Sequence, residues 1–292
     1  MRSPRALIPL LSVGAAAAVV TAAAAGASID GLPGGGGPAH ADAPAPRPAA
    51  VTINAVTWNV CGGPGCPSAA APAALAKQIV QRTKATEVGG RKVRTNAVLL
   101  QEVCEGQIRT VKKAASTWTW AFAASPGAAA CAQGQGRVGV AIGTDSPLTE
   151  TRQAKLPAPA GQTRIALCGE VESWATRVCV TQFNPSEGGD WRQKQARALA
   201  VLGGTDRVLL GGDFADSPDS PALDPLYDAY AECDQSGSSR TGAMTRQNWQ
   251  GTAVQKTDYL FLPKSAGVSC SVPAARVRTS DHRPMSAEVR FK

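Results

Sequence analysis

Residues 208–214 read Val208-Leu209-Leu210-Gly211-Gly212-Asp213-Phe214. A short apolar run bounded by glycines predicts a buried strand, and the aspartate stands where that strand stops. The same arrangement recurs along the chain. Asn59 follows Val56-Thr57-Trp58, and Glu102 follows Val98-Leu99-Leu100-Gln101. Asp258 precedes Tyr259-Leu260-Phe261-Leu262, and Asp281-His282 precede the last apolar segment, 287–291. Strand ends of a layered α/β domain are rigid mounts on which functional side chains gather.

Outward from these strands, residues 72–86 have helical spacing, with Leu75, Ile79 and Val80 as the buried stripe. Residues 105–117 predict a second helix with Arg109, Lys112 and Lys113 on its polar side. Asp190 is placed to cap a third helix running through Leu202. Further strands are expected at 51–60, 97–100, 138–142, 165–171 and 176–181. Strands and helices that do not alternate strictly argue for a layered α/β domain over a doubly wound parallel sheet. No internal repeat is seen.

The chain has 292 residues, 43% of them hydrophobic, and a net charge of +8. It is globular in composition, and its charge favours polyanionic partners or simple solubility. The N-terminus reads as an export signal over 1–41. It has arginines at positions 2 and 5, an apolar Ala-rich run, and Ala39-His40-Ala41 as a small-x-small cleavage site. The run is long enough to anchor in a membrane, but its Ala/Gly content is weakly hydrophobic, which favours cleavage and secretion. Residues 42–50 form a Pro/Ala linker, and 51–292 the folded domain. Cleavage removes His40, leaving His282 as the one histidine. No other segment predicts a membrane span, and no oligomerisation module is visible, so a monomer is expected.

Eight cysteines in an exported chain predict four disulfides. None forms a CxxC pair, which argues against a zinc site. A short turn near Ser173-Trp174 sets Cys168 opposite Cys179, within bridging distance. The other six allow many connectivities. Pairing of sequence neighbours is expected: Cys61–Cys66, Cys104–Cys131 and Cys233–Cys270.

Four acids, an amide and one imidazole at strand ends suit metal-assisted phosphoester hydrolysis. Carboxylates are hard ligands for Mg2+, Mn2+ or Ca2+. An aspartate can take a proton from water, and a histidine oriented by a carboxylate can supply acid catalysis or a cationic hydrogen bond.

The ordered segments Thr57-Trp58-Asn59-Val60, Leu100-Gln101-Glu102-Val103, Gly139-Val140-Ala141-Ile142, Gly211-Gly212-Asp213-Phe214, Thr257-Asp258-Tyr259-Leu260-Phe261 and Ser280-Asp281-His282-Arg283-Pro284 resemble the endonuclease/exonuclease/phosphatase family. Within it, the chain looks similar to pancreatic-type deoxyribonuclease. The resemblance covers 51–292. It implies a four-layer α/β (α+β) sandwich of two packed mixed β-sheets flanked by helices, with the site at one edge. It implies that Glu102 binds the metal, with Asp281 a second metal-side carboxylate. Asn59 would position phosphate and metal-bound water, and Asp213 would orient or deprotonate the attacking water. His282 would contact the scissile phosphate, with Asp258 holding its other nitrogen.

Two positions depart from the family pattern. Ala215 stands where an asparagine usually completes Asp-x-Asn; Asp216 follows, its side chain expected to point elsewhere. Gln182 stands where many members carry histidine; it can donate a hydrogen bond to phosphate but cannot shuttle a proton. The expected function is a secreted divalent-metal phosphodiesterase, a nuclease. The alternatives are a phosphatase or sphingomyelinase-like phospholipid phosphodiesterase, and a catalytically weakened binding protein. Arg91, Lys92 and Arg94, with Arg109, Lys112 and Lys113, are candidates for a phosphate-tracking face beside Glu102. Trp118 and Trp120 alternate on one strand face, where core packing is expected rather than a membrane hairpin.

Overall fold

The structure, a computed structural model, describes residues 49–292 apart from 186–188 and 205. The signal-peptide reading of 1–41 and the linker up to residue 48 lie outside the described residues.

Two six-stranded mixed sheets form the frame. The first runs, edge to edge, Gly267–Ser271, Met285–Phe291, Val51–Asn59, Ala97–Cys104, Val138–Thr144, Thr119–Ala124. The second runs Ala231–Glu232, Asp258–Leu262, Val208–Asp213, Thr176–Gln182, Arg164–Val171, Thr149–Leu156. Each holds one parallel pair: Val51–Asn59 beside Ala97–Cys104, and Thr176–Gln182 beside Val208–Asp213. Strands covered on both faces read as continuous apolar runs, and every residue of Val208–Asp213 is buried.

Side chains alternate across each strand, which makes four layers. Ile53, Leu99, Ile142, Val180, Leu209 and Leu260 fill the space between the sheets. On the first sheet's outer face, Val56, Trp58, Val98 and Leu100 meet helices α1 (Pro72–Lys84) and α2 (Glu105–Ala114) through Leu75, Ile79, Ile108 and Val111. On the second sheet's outer face, Val208, Leu210, Tyr259 and Phe261 meet α3 (Trp191–Gly203) and α4 (Asp224–Ala229) through Ala196, Leu199, Leu226 and Tyr227. Each such aliphatic or aromatic side chain contributes roughly 1.5–3 kcal/mol on burial.

The double glycine is a packing requirement. A Cβ on Gly211 would stand 2.8 Å from Leu99 Cδ2 across the inter-sheet core, and one on Gly212 2.2 Å from the Thr181 carbonyl oxygen. Neither position has room for a side chain.

All four expected disulfides are present: Cys61–Cys66, Cys104–Cys131, Cys168–Cys179 and Cys233–Cys270. Cys168 faces Cys179 in register, with a 3₁₀ turn at Glu172–Trp174 closing the hairpin. Trp118 and Trp120 stack at 6.0 Å against the helix-side core, the packing role expected of them. Several boundaries shift. The first two helices stop at Lys84 and Ala114, short of the expected ends. The strands around Glu102 and Asp213 extend through those residues. Asp190 precedes α3 but makes no side-chain cap; its carboxylate pairs with Lys194 at 2.8 Å instead. No helix among the described residues is long and apolar enough to cross a membrane.

Candidate active site

The two parallel pairs end at the same edge of the sandwich and deliver four polar side chains there. Asn59 ends its strand in register with Gln101, and Glu102 follows. The ladder shifts register between Leu100 and Val103, and Glu102 takes a left-handed backbone, φ +54°. That conformation costs a non-glycine residue about 1–2 kcal/mol, and such strain clusters at functional sites. In the second sheet, Gln182, Asp213 and Asp258 lie side by side across three strands, one register row.

Two amides join the sheets. Asn59 Nδ2 donates to Glu102 Oε1 at 3.1 Å and to Asp213 Oδ2 at 3.0 Å. Gln182 Nε2 donates to the same oxygens at 2.6 and 3.3 Å. Two carboxylates that would repel are thus held together by shared donors. Asn59 Oδ1 accepts the Cys61 amide at 3.0 Å, which fixes which way the amide faces. Asp213 Oδ1 accepts the Ala215 amide at 3.0 Å.

His282 completes the cluster. Its Nδ1 lies 2.7 Å from Asp258 Oδ2, and its Nε2 lies 4.0 Å from Asp213 Oδ2. Thr257 Oγ1 donates to Asp258 Oδ2, and Thr245 Oγ1 accepts the Asp258 amide. The imidazole's backbone is equally constrained. Trp58 Nε1 donates to the His282 carbonyl at 3.1 Å. The Ser280 hydroxyl accepts the His282 amide and donates to the Asn59 carbonyl. Asp258 therefore orients the ring and leaves Nε2 for a ligand.

Burial raises the Asp213 carboxyl to about 6; His282 opposes the rise, and Asp258 adds to it. For His282, burial acts downward, but Asp258 and Asp213 outweigh it and push the imidazole up to about 10. The site therefore holds a cationic imidazole beside a carboxyl that titrates near neutrality. Perturbation of this kind is characteristic of acid–base sites.

Glu102, Gln182, Asp213, Asp281 and His282 border one cavity of about 510 Å³. Asp281 reaches it and stands 3.9 Å from Arg246. Arg164, Arg192 and Arg246 complete its basic wall. Sequence reading missed these three, because each arrives from a different, distant segment with no local pattern. Arg192 is occupied by Asp216 at 2.9 Å and the Ala215 carbonyl at 2.9 Å. Asp216 thus borders the cavity, but its carboxylate is committed to an arginine. Arg164 is half-buried and has no hydrogen bond or ion pair among the described residues. Burial lowers its pKa, while Glu102 and Asp213 raise it. None of Arg91, Lys92, Arg94, Arg109, Lys112 and Lys113 lines this cavity. The expectation of a basic face beside Glu102 is corrected: Arg91 pairs with Glu288, Arg94 with Asp145 and Arg109 with Glu105.

The donors suit a hard divalent cation. Glu102 borders the cavity with both of its side-chain hydrogen bonds on Oε1, and Asp213 and Asp281 supply further carboxylate oxygens there. Asp213, Asp258 and His282 also form a group close enough to share an ion, although His282 Nδ1 is already engaged. Cys61 and Cys66, which lie beside Glu102, are joined in a disulfide and offer no thiolate.

The fold matches solved structures at low identity. An endonuclease/exonuclease/phosphatase family protein from Bacteroides thetaiotaomicron superposes with a TM-score of 0.65 at 14% identity, over 84% of this chain and 97% of that one. The human Nocturnin catalytic domain, solved with bound sulfate, gives 0.62 at 16%, over 84% and 97%. A mannosyl-6-phosphatase from Bacteroides thetaiotaomicron gives 0.60 at 16%, over 82% and 100%. Among curated proteins no sequence matches. The model of the Endonuclease/Exonuclease/phosphatase family matches residues 56–282, from the first central strand through the imidazole, and the chain belongs to that family.

Proposed function

We propose that the chain is a secreted, divalent-metal-dependent phosphodiesterase that cuts nucleic acid. Members of the family are phosphoester hydrolases and generally use divalent metals. One observation carries the reading: Asn59 and Gln182 clamp Glu102 against Asp213, and Asp258 aims the His282 imidazole at the same cavity. A bound Mg2+ (or Mn2+ or Ca2+), held by Glu102 with Asp281, would neutralise charge on the phosphate oxygens. The chain's own groups do the rest. Asp213 accepts the proton of the attacking water. His282 Nε2 donates a charge-assisted hydrogen bond to a non-bridging phosphate oxygen. Arg164, free of protein partners among the described residues, supplies a second cation to the phosphate. Four disulfides across the domain fit an oxidising compartment, which supports secretion.

A second reading, a phospholipid phosphodiesterase, is favoured by one feature. The hairpin Arg246–Gln247/Ala253–Gln255 leaves Trp249 and Val254 exposed, Met244 just before it is exposed too, and Arg246 at its base lines the cavity. This hairpin is a better candidate membrane element than Trp118-Thr119-Trp120.

The test is hydrolysis of plasmid DNA, single-stranded RNA, sphingomyelin vesicles and a bis-aryl phosphodiester by the oxidised protein, with each cation and with chelator. Chelator-sensitive cutting of nucleic acid, abolished by Glu102→Ala and His282→Ala, is the expected result. Sphingomyelin turnover without nucleic-acid turnover would replace the first reading by the second. No turnover of any substrate would favour a binding protein weakened at Ala215 and Gln182.

A further inference from the structure

A second cleft, of about 740 Å³, opens beside the first sheet and is bordered by Arg82, Lys84, Lys92, Arg276 and Arg278. Among the described residues no carboxylate lines it. Nor, among those residues, does any of these five cations have an ion pair or hydrogen bond, whereas arginines elsewhere pair readily: Arg91, Arg94, Arg109, Arg152, Arg177 and Arg240 each meet a carboxylate. The nearest acid in the ladder, Glu87, faces Lys92 across the hairpin without forming an ion pair.

The ordinary explanation covers only part of the cluster. Arg82 and Lys84 sit in the last turn of α1, where cations favour the helix dipole. That does not account for Lys92, carried by a separate hairpin, or for Arg276 and Arg278 on the loop before the last strand. Thr279 Oγ1 bonds Gln78 Oε1 at 2.8 Å, which fastens this loop against α1 and holds the cations together. Arg82 is only partly exposed, and its burial is uncompensated by any anion.

The cleft is coupled to the active cavity by covalent and polar links. Trp58 lines the cleft and donates its indole N–H to the His282 carbonyl. Arg278 and His282 are four residues apart, at most about 14 Å along the chain. Both therefore lie within reach of neighbouring phosphates of one strand.

We infer that the cleft bordered by Arg82, Lys84, Lys92, Arg276 and Arg278 is a second phosphate-binding site, which grips the backbone of the nucleic-acid strand cut at His282. This rests on the nuclease reading. Five unpaired cations in one cleft call for a run of phosphates rather than a single anion.

The test uses the full oxidised chain carrying Lys92→Gln, Arg276→Gln and Arg278→Gln, all three at exposed positions. The same triple change is also placed in a His282→Ala background for binding. Anisotropy of a labelled single-stranded oligonucleotide should show weakened binding. The slope of log affinity against log salt should flatten by about 2, at roughly 0.7 for each phosphate no longer neutralised. Hydrolysis of the bis-aryl phosphodiester should stay unchanged, and KM for the polynucleotide should rise. Unchanged oligonucleotide affinity and salt slope overturn the site. So does a loss of affinity confined to anionic vesicles, which would assign the cleft to a lipid surface. If the wild type binds the oligonucleotide through the cleft yet cuts only other esters, the site stands and the nuclease reading falls.

Discussion

His282 Nδ1 and Asp258 Oδ2 stand 2.7 Å apart, with Asp258 fully buried and Thr257 and Thr245 holding it from behind. The carboxylate thereby fixes both the ring's orientation and its charge. Asp258→Asn keeps the shape, removes the charge, and lets the amide N–H₂ face Nδ1. We expect kcat to fall about 10²–10⁴-fold, the scale of general acid–base contributions, with KM little changed. The apparent imidazole pKa should also drop, as seen by the ring's NMR titration. A rate within about threefold of wild type would remove Asp258 from the mechanism.

The Asp213 carboxyl and the His282 imidazole are both raised, so both make the metal-free protein less stable as pH increases. For Asp213 the loss begins above the ordinary carboxyl range and ends as pH passes about 6. For His282 it begins above the ordinary imidazole pKa and ends as pH passes about 10. Thermal unfolding in chelator should therefore show Tm falling in two windows. Asp213→Asn should reduce the loss across the lower window, to which buried Glu232 also contributes, and His282→Asn should flatten the upper. A cation bound beside Asp213 favours its carboxylate, so adding Mg2+ should shrink the lower window. A lower window untouched by saturating cation would argue that the metal sits away from Asp213.

How much of this was legible in the sequence follows from how local each signal is. Asp213, Asp258 and His282 were visible because each abuts an unbroken apolar strand or stands alone as an imidazole. Glu102 was visible in the same way, at the end of Val98-Leu99-Leu100-Gln101; Gln182 was placed by resemblance, and its bond to Glu102 was not legible, because it joins strands 80 residues apart. Arg164, Arg192 and Arg246 were invisible, since only the fold brings them to one wall. The basic run at 91–94 was misplaced because Gly89 and Gly90, both at positive φ, turn a hairpin that carries Lys92 to the second cleft. Asp190 marked the helix start, but its carboxylate has a competing partner in the lysine four residues on and makes no side-chain cap.

Ala215 sits at φ +54°, with its amide on Asp213 Oδ1 and its carbonyl on Arg192. Asparagine tolerates that backbone better than alanine, and its side chain would restore the amide the family pattern has there. Ala215→Asn should raise Tm slightly and increase kcat/KM at least several-fold on the cleaved substrate. A loss of activity with normal folding would mean that the cavity has been re-formed around the small side chain, and that Ala215 is part of this chain's own specificity.

Behind the site, Lys256 Nζ lies 3.2 Å from Glu232 Oε1, both side chains almost wholly buried, with Asp234 at 3.7 Å. Burial raises the Glu232 carboxyl to about 7, with Lys256 opposing the rise, so the pair's attraction does not recover the full cost of its desolvation. Lys256 stands two residues before Asp258, which opens its strand. Breaking such a pair from one side strands a buried charge, at about 3–5 kcal/mol, whereas replacing both partners with apolar groups can be neutral or better. Lys256→Met and Glu232→Leu should therefore each lower the urea midpoint steeply, and the double variant should recover most of the loss. Because Asp258 follows from the same segment, the single variants should also cost kcat out of proportion to the folded fraction. Simple additivity of the two losses would show that the charges do not interact, and that the segment before Asp258 is held by packing alone.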